Sequence, residues 1–413
     1  MSECYAELVA EGWLTAQQGS GTRVASRVSI PAPAPAANGK PIGAGKAIQG
    51  LLPGATDFAD FPRQHWIAAA RRALSSAPYS AFGYGDPAGH PALRASLAEY
   101  LARVRGVNAD PERIVISSGF HHGLDLVARA LVANGTTAVA VENYGLDLYR
   151  QLLEEAGLEI PTISVDAHGA RTIDLTAMSV GAVLLTPAHQ FPTGVALSAE
   201  RRGAAIDWAR STGGFILEDD YDGEFRYDRA PIGALQGLDP ERVVYFGTSS
   251  KSLAPALRIG WIVVPKALLP SVLAAKGRVE MVSVLDQLTL AEFVSSGTFD
   301  HHIRSRRNNY RRRRDQLIDA LAKNVPQVSL RGMPAGLQAL LRLPVGTEDH
   351  VVAAATRHGL AVSGLAPFRY EGAPMDTTPD EGLVVNFSAI SDTTWDRALE
   401  LLIDALRDGL RQR

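Results

Sequence analysis

Between residues 114 and 264, short apolar runs alternate with longer stretches whose hydrophobic positions recur at three- and four-residue spacing. Ile114-Val115-Ile116, Ala138–Val141, Val183–Leu185, Phe215–Leu217, Val243–Phe246 and Gly260–Val264 are each too short for a helix, as strands covered on both faces are. Helices are predicted from about Gly119 to Val132 and over roughly 146–156. This order predicts an α/β fold with a large, mostly parallel sheet flanked by helices. Beyond about residue 270, a long helical stretch rich in arginine (304–314) leads into mixed strand and helix, which suits a smaller α+β domain.

The N-terminus has a different pattern. Residues 2–14 place Tyr5, Leu8 and Val9 at helical spacing and Gly12 at a helix stop. Thr15 to Val24 is polar and turn-prone in its middle, which predicts a tight hairpin. From Ala25 to Gly50 the chain is rich in Pro, Ala and Gly and predicts an extended linker. The expected organisation is an N-terminal segment over 1–27, a linker over 28–50 and a main body over 51–413. Within that body a large domain is expected over about 85–290, and a small one over about 291–413 together with 51–84.

Composition narrows the class without naming it. A chain of 413 residues exceeds one ordinary domain, and 46% hydrophobic with 21% charged residues is the balance of a globular protein. A net charge of -3 gives no global signal for nucleic acid. Cys4 is the single cysteine, so an intrachain disulfide or a cysteine-based metal cluster is excluded. No apolar run reaches the roughly 20 residues that span a bilayer. Glu3, Glu7 and Glu11 stand where a signal peptide carries basic residues, so a cytoplasmic location is expected.

Chemistry collects where predicted strands end. Ser118-Gly119-Phe120-His121-His122 opens a helix, and the Phe120 and His121 backbone N–H groups suit a phosphate; a plain helix start fits equally well. The adjacent histidines diverge and lack a spaced partner, which argues against metal. Thr186-Pro187-Ala188-His189-Gln190-Phe191-Pro192-Thr193-Gly194 offers His189 or Gln190 to a polar ring substituent, or is simply a turn. Glu218-Asp219-Asp220-Tyr221 crowds acids after an apolar strand, where they need compensation by a cation, a helix cap or a metal. Lys251 lies in Gly-Thr-Ser-Ser-Lys-Ser-Leu-Ala-Pro-Ala-Leu-Arg-Ile-Gly (247–260), with Thr248, Ser250 and Arg258 as phosphate-compatible donors. Together these loops offer an amine, a ring acid, a phenol and phosphate donors, as a reactive aldehyde cofactor requires.

The motifs YGDPAGHPALR (84–94), TPAHQFPTG (186–194), EDDYDGEFRY (218–227) and GTSSKSLAPALRIG (247–260) resemble those of fold-type I pyridoxal-phosphate enzymes. More closely, the chain resembles the MocR subgroup of GntR-type transcriptional regulators, which join a winged helix-turn-helix to an aminotransferase-like domain. The resemblance implies an aspartate aminotransferase-like fold, a pyridoxal 5'-phosphate cofactor and a homodimer. It implies a Schiff base at Lys251, with Asp219 on the ring nitrogen and Tyr221 on the phenolic oxygen. Thr248, Ser250, Arg258 and the turn of Gly119, Phe120 and His121 would carry the phosphate, with Tyr84 reaching over from a second subunit. His189 and Gln190 occupy the loop that supplies a ring-oxygen donor.

Two places depart from the family pattern. Leu146 falls where a ring-covering tyrosine is expected, so either Tyr144 takes over stacking or an aliphatic side chain covers the ring. Val384 stands where an arginine clamps the substrate α-carboxylate, unless another arginine such as Arg369 substitutes. The first 24 residues resemble the end of a recognition helix and the wing, without the helices that hold a recognition helix in place. A start assigned too far downstream is favoured over a genuine truncation, and weak or no DNA binding is expected of this chain. The arginines at 304–314 are read as a solvated helix with acidic neighbours, with a DNA-phosphate face as the alternative. The expected function is a cofactor-binding transcriptional regulator responding to pyridoxal phosphate or to an amine or amino-acid effector. An aminotransferase is the competing reading.

Overall fold

In the computed structural model, residues 2–17, 19, 21–25, 49–54, 56–227, 233–370 and 381–411 are described. The chain forms two units, Met1–Ile48 and Gln49–Arg413. In the first, helix α1 (Ser2–Ala10) ends near Gly12, which takes a left-handed φ of 73°, and a hairpin follows. Its strands β1 (Leu14–Gln17) and β2 (Gly21–Val24) pair antiparallel from Leu14 opposite Val24 to Gln17 opposite Gly21. Most of the Pro/Ala/Gly-rich stretch, residues 26–48, lies outside the described residues.

The second unit opens with β3 (Gln49–Gly50), α2 (Arg63–Ser76) and α3 (Pro91–Arg105). Strand and helix then alternate through β4 (Ile114–Ser117), α4 (Gly119–Ala133), β5 (Val139–Glu142), α5 (Asp147–Glu155) and β6 (Thr162–Ile163). A small hairpin of β7 (Val165–Asp166) and β8 (Gly169–Ala170) precedes β9 (Ala182–Leu185), α6 (Ala199–Thr212), β10 (Phe215–Asp219) and β11 (Val243–Thr248). β12 (Gly260–Val263), α7 (Leu269–Lys276), α8 (Val284–Ser295) and α9 (Thr298–Asn324) complete this part.

The large sheet has the order β4-β12-β11-β10-β9-β5-β6. All its strands run parallel except β12, which is antiparallel to both β11 and β4. Alternation along the strands feeds separate layers. Val139, Val141, Leu217, Val244 and Phe246 join Leu124, Val127 and Leu131 of α4, whereas Ala140, Val183, Ile216 and Val243 join Ala205, Ile206 and Trp208 of α6. The strands therefore read as continuous apolar runs because both faces are covered.

The remaining elements are β13 (Ser329–Arg331), β14 (Gln338–Arg342), α10 (Glu348–Arg357), β15 (Leu360–Ala361), β16 (Ser363–Gly364), β17 (Gly382–Asn386) and α11 (Asp392–Arg411). They build an antiparallel sheet of order β13-β14-β17-β16. The segment at 49–57 is fastened here: β3 pairs with β15, Asn386 N donates to the Leu51 carbonyl, and Asp57 N donates to the Ser388 carbonyl.

The arginines of α9 have the acidic neighbours expected, Asp60 and Asp392, but they are not all solvated. Arg313 is fully buried and donates to the carbonyls of Phe387 and Ile390 and to Asp392. Arg306 pairs with Asp60, and Arg307 Nη2 donates to the Glu224 carbonyl at 2.7 Å. Arg304 and Arg311 are exposed. Much of the positive charge is thus spent on carbonyls and acids of neighbouring elements, leaving neither a wholly solvated face nor a continuous phosphate-binding one. Among the described residues, no helix is long and apolar enough to cross a membrane.

Candidate functional site

The parallel strands β5, β9, β10 and β11 end on one side of the large sheet, and the loops leaving them carry most of the chemistry read from the sequence. They surround a cavity. Asp219 lines it from the end of β10, Tyr221 from two residues beyond, and Lys251 from the turn after β11. Glu142, Tyr144 and Leu146 contribute from the end of β5, and Thr186 and Phe191 from beyond β9. Gln338 and Asn386 come from β14 and β17, where they face each other in register.

Lys251 Nζ donates to the Gly54 carbonyl at 2.9 Å. Burial lowers its pKa, opposed by the negative charges of Asp222 and Asp219, so a larger share of the amine is unprotonated than in a surface lysine. Asp219 is pushed well above the usual carboxylate range by burial, then by Asp220, Asp222 and Glu142, with Lys251 opposing. No donor among the described residues bonds its carboxylate. A protonated ring nitrogen is the kind of partner that this acid needs.

Tyr221 is held from behind. Its hydroxyl donates to the His189 carbonyl at 3.2 Å and lies 3.2 Å from His189 Nδ1, which in turn is 2.9 Å from Asp222 Oδ2. His189 therefore orients the phenol and does not line the cavity. Gln190 does not line it either: its Nε2 donates to the Tyr144 and Phe191 carbonyls, and its Oε1 accepts from Thr193. Of this loop, Thr186 and Phe191 reach the cavity wall.

The expected phosphate donors also converge. Gly119 begins α4 with φ 80°, and a Cβ built there would lie 3.5 Å from the Arg258 guanidinium. Arg258, itself left-handed at φ 51°, donates to the Ser118 carbonyl at 2.6 Å. Thr248 Oγ1 donates to Ser250 Oγ at 2.9 Å. His121 is close enough to Arg258 and Lys251 that, after burial, their charges lower its pKa. The first N–H groups of α4 have no intrahelical acceptor, so the turn combines free donors, a fixed cation and room made by a glycine. These residues fit a phosphate. The Phe120 side chain points elsewhere, packing 5.2 Å from the Phe246 ring and 4.6 Å from that of Tyr149.

Both candidates for covering a ring, Tyr144 and Leu146, line the cavity. Tyr149, one turn into α5, lines it too and was missed from sequence, although its spacing from Leu146 was the available signal. Tyr84 is 98% exposed. Val384 is fully buried inside β17 in an apolar cluster with Tyr144, Leu340 and Leu365. Arg369 borders a second cavity beside Glu348, Asp349 and Glu381 and does not line the first.

Glu142 was also missed. Its Oε2 accepts from Thr186 Oγ1 at 2.5 Å, from Thr186 N at 3.2 Å and from Gln190 Nε2 at 3.3 Å. Burial nevertheless outweighs these bonds and pushes its pKa from 4.5 up to about 7. The folded state therefore keeps a proton that the unfolded chain has released. This contribution to stability is complete below 4.5 and is lost as pH rises through about 7. Replacing Glu142 by Gln removes the titration. The stability of the wild type relative to Glu142→Gln is expected to fall by at most roughly 3 kcal/mol across that window. Urea midpoints of both proteins at the two ends of the window measure it, and a constant difference would sink the assignment.

Residues 52–402 match the aminotransferase class I and II family. The probable rhizopine catabolism regulatory protein MocR of Rhizobium meliloti is 31% identical over 424 residues, covering 97% of this chain and 84% of that protein. The pyridoxine biosynthesis transcriptional regulator PdxR of Corynebacterium glutamicum is 30% identical over 407 residues, covering 98% and 87%. Among solved structures, an archaeal alanine:glyoxylate aminotransferase superposes with a TM-score of 0.77 at 26% identity, covering 88% of this chain and 91% of that one.

Proposed function

The chain belongs to the aminotransferase class I and II family, in its MocR-type regulator branch, and from that premise we propose that it is a transcriptional regulator whose Lys251 cavity senses pyridoxal phosphate or an amine ligand. One observation carries the reading. The family match begins at residue 52, whereas the similarity to the two regulators covers 97% and 98% of the chain and so extends into the N-terminal hairpin.

Pyridoxal 5'-phosphate, the cofactor of this fold, supplies an aldehyde that captures amines and a ring that withdraws electrons. In this reading the Lys251 amine holds the aldehyde, and Asp219 keeps a proton on the ring nitrogen. The Tyr221 hydroxyl, steadied by His189 and Asp222, meets the ring oxygen. Thr248, Ser250, Arg258 and the Gly119 turn hold the phosphate. A homodimer belongs to the same reading, supported by the outward-facing aromatics Tyr79, Phe82 and Tyr84. DNA contact is assigned to the N-terminal unit.

Selection of genomic fragments by the purified protein, with and without pyridoxal phosphate, tests the proposal. A weak enrichment of DNA fragments whose occupancy changes with the cofactor is the expected result. Rapid multiple turnover of an amino donor and a 2-oxo acid, with no cofactor-dependent DNA selection, would establish the aminotransferase reading instead.

A further inference from the structure

We infer that the Lys251 cavity selects primary amines with uncharged aromatic or aliphatic tails and discriminates against their α-carboxylated counterparts. The inference rests on the reading that Lys251 holds pyridoxal phosphate here, and it names the ligand class that the rest of the cavity accepts.

The first support is the charge of the lining. Among the described residues, Lys251 is the only cation on the cavity wall, whereas Glu142 and Asp219 are acids. A carboxylate entering beside them would lose its hydration without gaining a positive partner, which strongly disfavours it.

The second support is where the neighbouring arginines are. Arg258 is tied to the Ser118 carbonyl at 2.6 Å on the phosphate side. Arg150 pairs with Glu154 at 2.9 Å and lies 5.7 Å from the centre of the Tyr370 ring. Arg369 borders the second cavity among Glu348, Asp349 and Glu381. The β17 position where the family pattern carries a carboxylate-clamping arginine is Val384, sealed among apolar side chains.

The third support is what replaces the missing cation. Leu146, Phe191, Leu337 and Tyr370 give the wall an apolar and aromatic surface suited to a hydrocarbon tail. Gln338, also on the wall, has a buried Nε2 with no hydrogen-bond partner. The amide carries no charge. It does not neutralise a buried carboxylate.

Matched pairs isolate the carboxylate. The wild-type protein is first loaded with pyridoxal phosphate, and loading is read from the cofactor's visible absorbance. It is then titrated with 2-phenylethylamine against phenylalanine, and with tyramine against tyrosine, by calorimetry and by the change in that absorbance. Each amine is expected to bind at least about tenfold more tightly than its amino acid, the ratio that corresponds to ~1.4 kcal/mol. Equal or tighter binding of the amino acids overturns the inference, as does a loaded protein that binds neither member of a pair. Failure to load pyridoxal phosphate is visible before any amine is added. It would refute the underlying Lys251 reading, and the ligand-class inference would fall with it.

Discussion

Lys251→Ala is expected to abolish the visible absorbance that pyridoxal phosphate acquires on binding the wild-type protein. The wild-type amine is positioned by the Gly54 carbonyl at 2.9 Å, and burial lowers its pKa. Both effects favour attack on an aldehyde at neutral pH. Alanine removes the nucleophile but leaves Asp219, Thr248, Ser250, Arg258 and the Gly119 turn in place. Residual binding through the phosphate is therefore expected to persist, readable by calorimetry, while a reducing agent such as borohydride fixes cofactor to the wild type alone. Uptake by the wild type should also rise with pH through a midpoint below the ordinary lysine value of about 10.4. An unchanged spectrum in the alanine variant would show that a different amine holds the cofactor.

Asp220→Ala should be among the most destabilising single substitutions in the chain, costing roughly 3–5 kcal/mol. Arg105 Nε and Nη2 donate to the Asp220 carboxylate at 2.7 and 3.0 Å, and the Tyr245 hydroxyl donates to it at 2.7 Å. The side chains of Arg105 and Asp220 are only 2% and 1% exposed. Deleting the acid takes the bidentate acceptor from the Arg105 guanidinium and the acceptor from the Tyr245 hydroxyl, both inside the core. The exposed pair of Arg397 and Glu400 is a suitable control, because breaking it should change stability by less than about 1 kcal/mol. If the urea midpoint of Asp220→Ala matched that of Arg397→Ala, this view of the core would be wrong.

The site was legible wherever chemistry sat next to a strand in sequence. Asp219, Tyr221, Lys251 and Gly119 come within five residues of an apolar run, and runs that short read as buried strands. Legibility failed for contributions made across the chain. Gln338 and Asn386 reach the cavity from a second sheet, and no local pattern marks them. His189 and Gln190 were placed in the right loop, but their side chains turn inward to hold Tyr221 and the backbone, leaving Phe191 on the wall. The acidic neighbours of the α9 arginines were foreseen and the burial was not, because sequence shows charge without showing the carbonyls that absorb it. The antiparallel direction of β12 was equally hidden: an apolar run predicts a strand, and its direction follows from connections that periodicity does not contain.

That reversed strand sets a timetable for biosynthesis. β12 lies between β4 and β11, and it brings Arg258 against Ser118, a residue 140 positions earlier. A ribosome adding about 5–20 residues per second needs roughly 7–30 s to cover that distance. Throughout that interval the nascent turn at Gly119 has neither its cation nor the strand that separates β4 from β11. The anion cradle therefore comes into being all at once, from pieces made 140 residues apart. Nascent chains arrested before residue 258 should be blind to the cofactor, however well their first helices have formed.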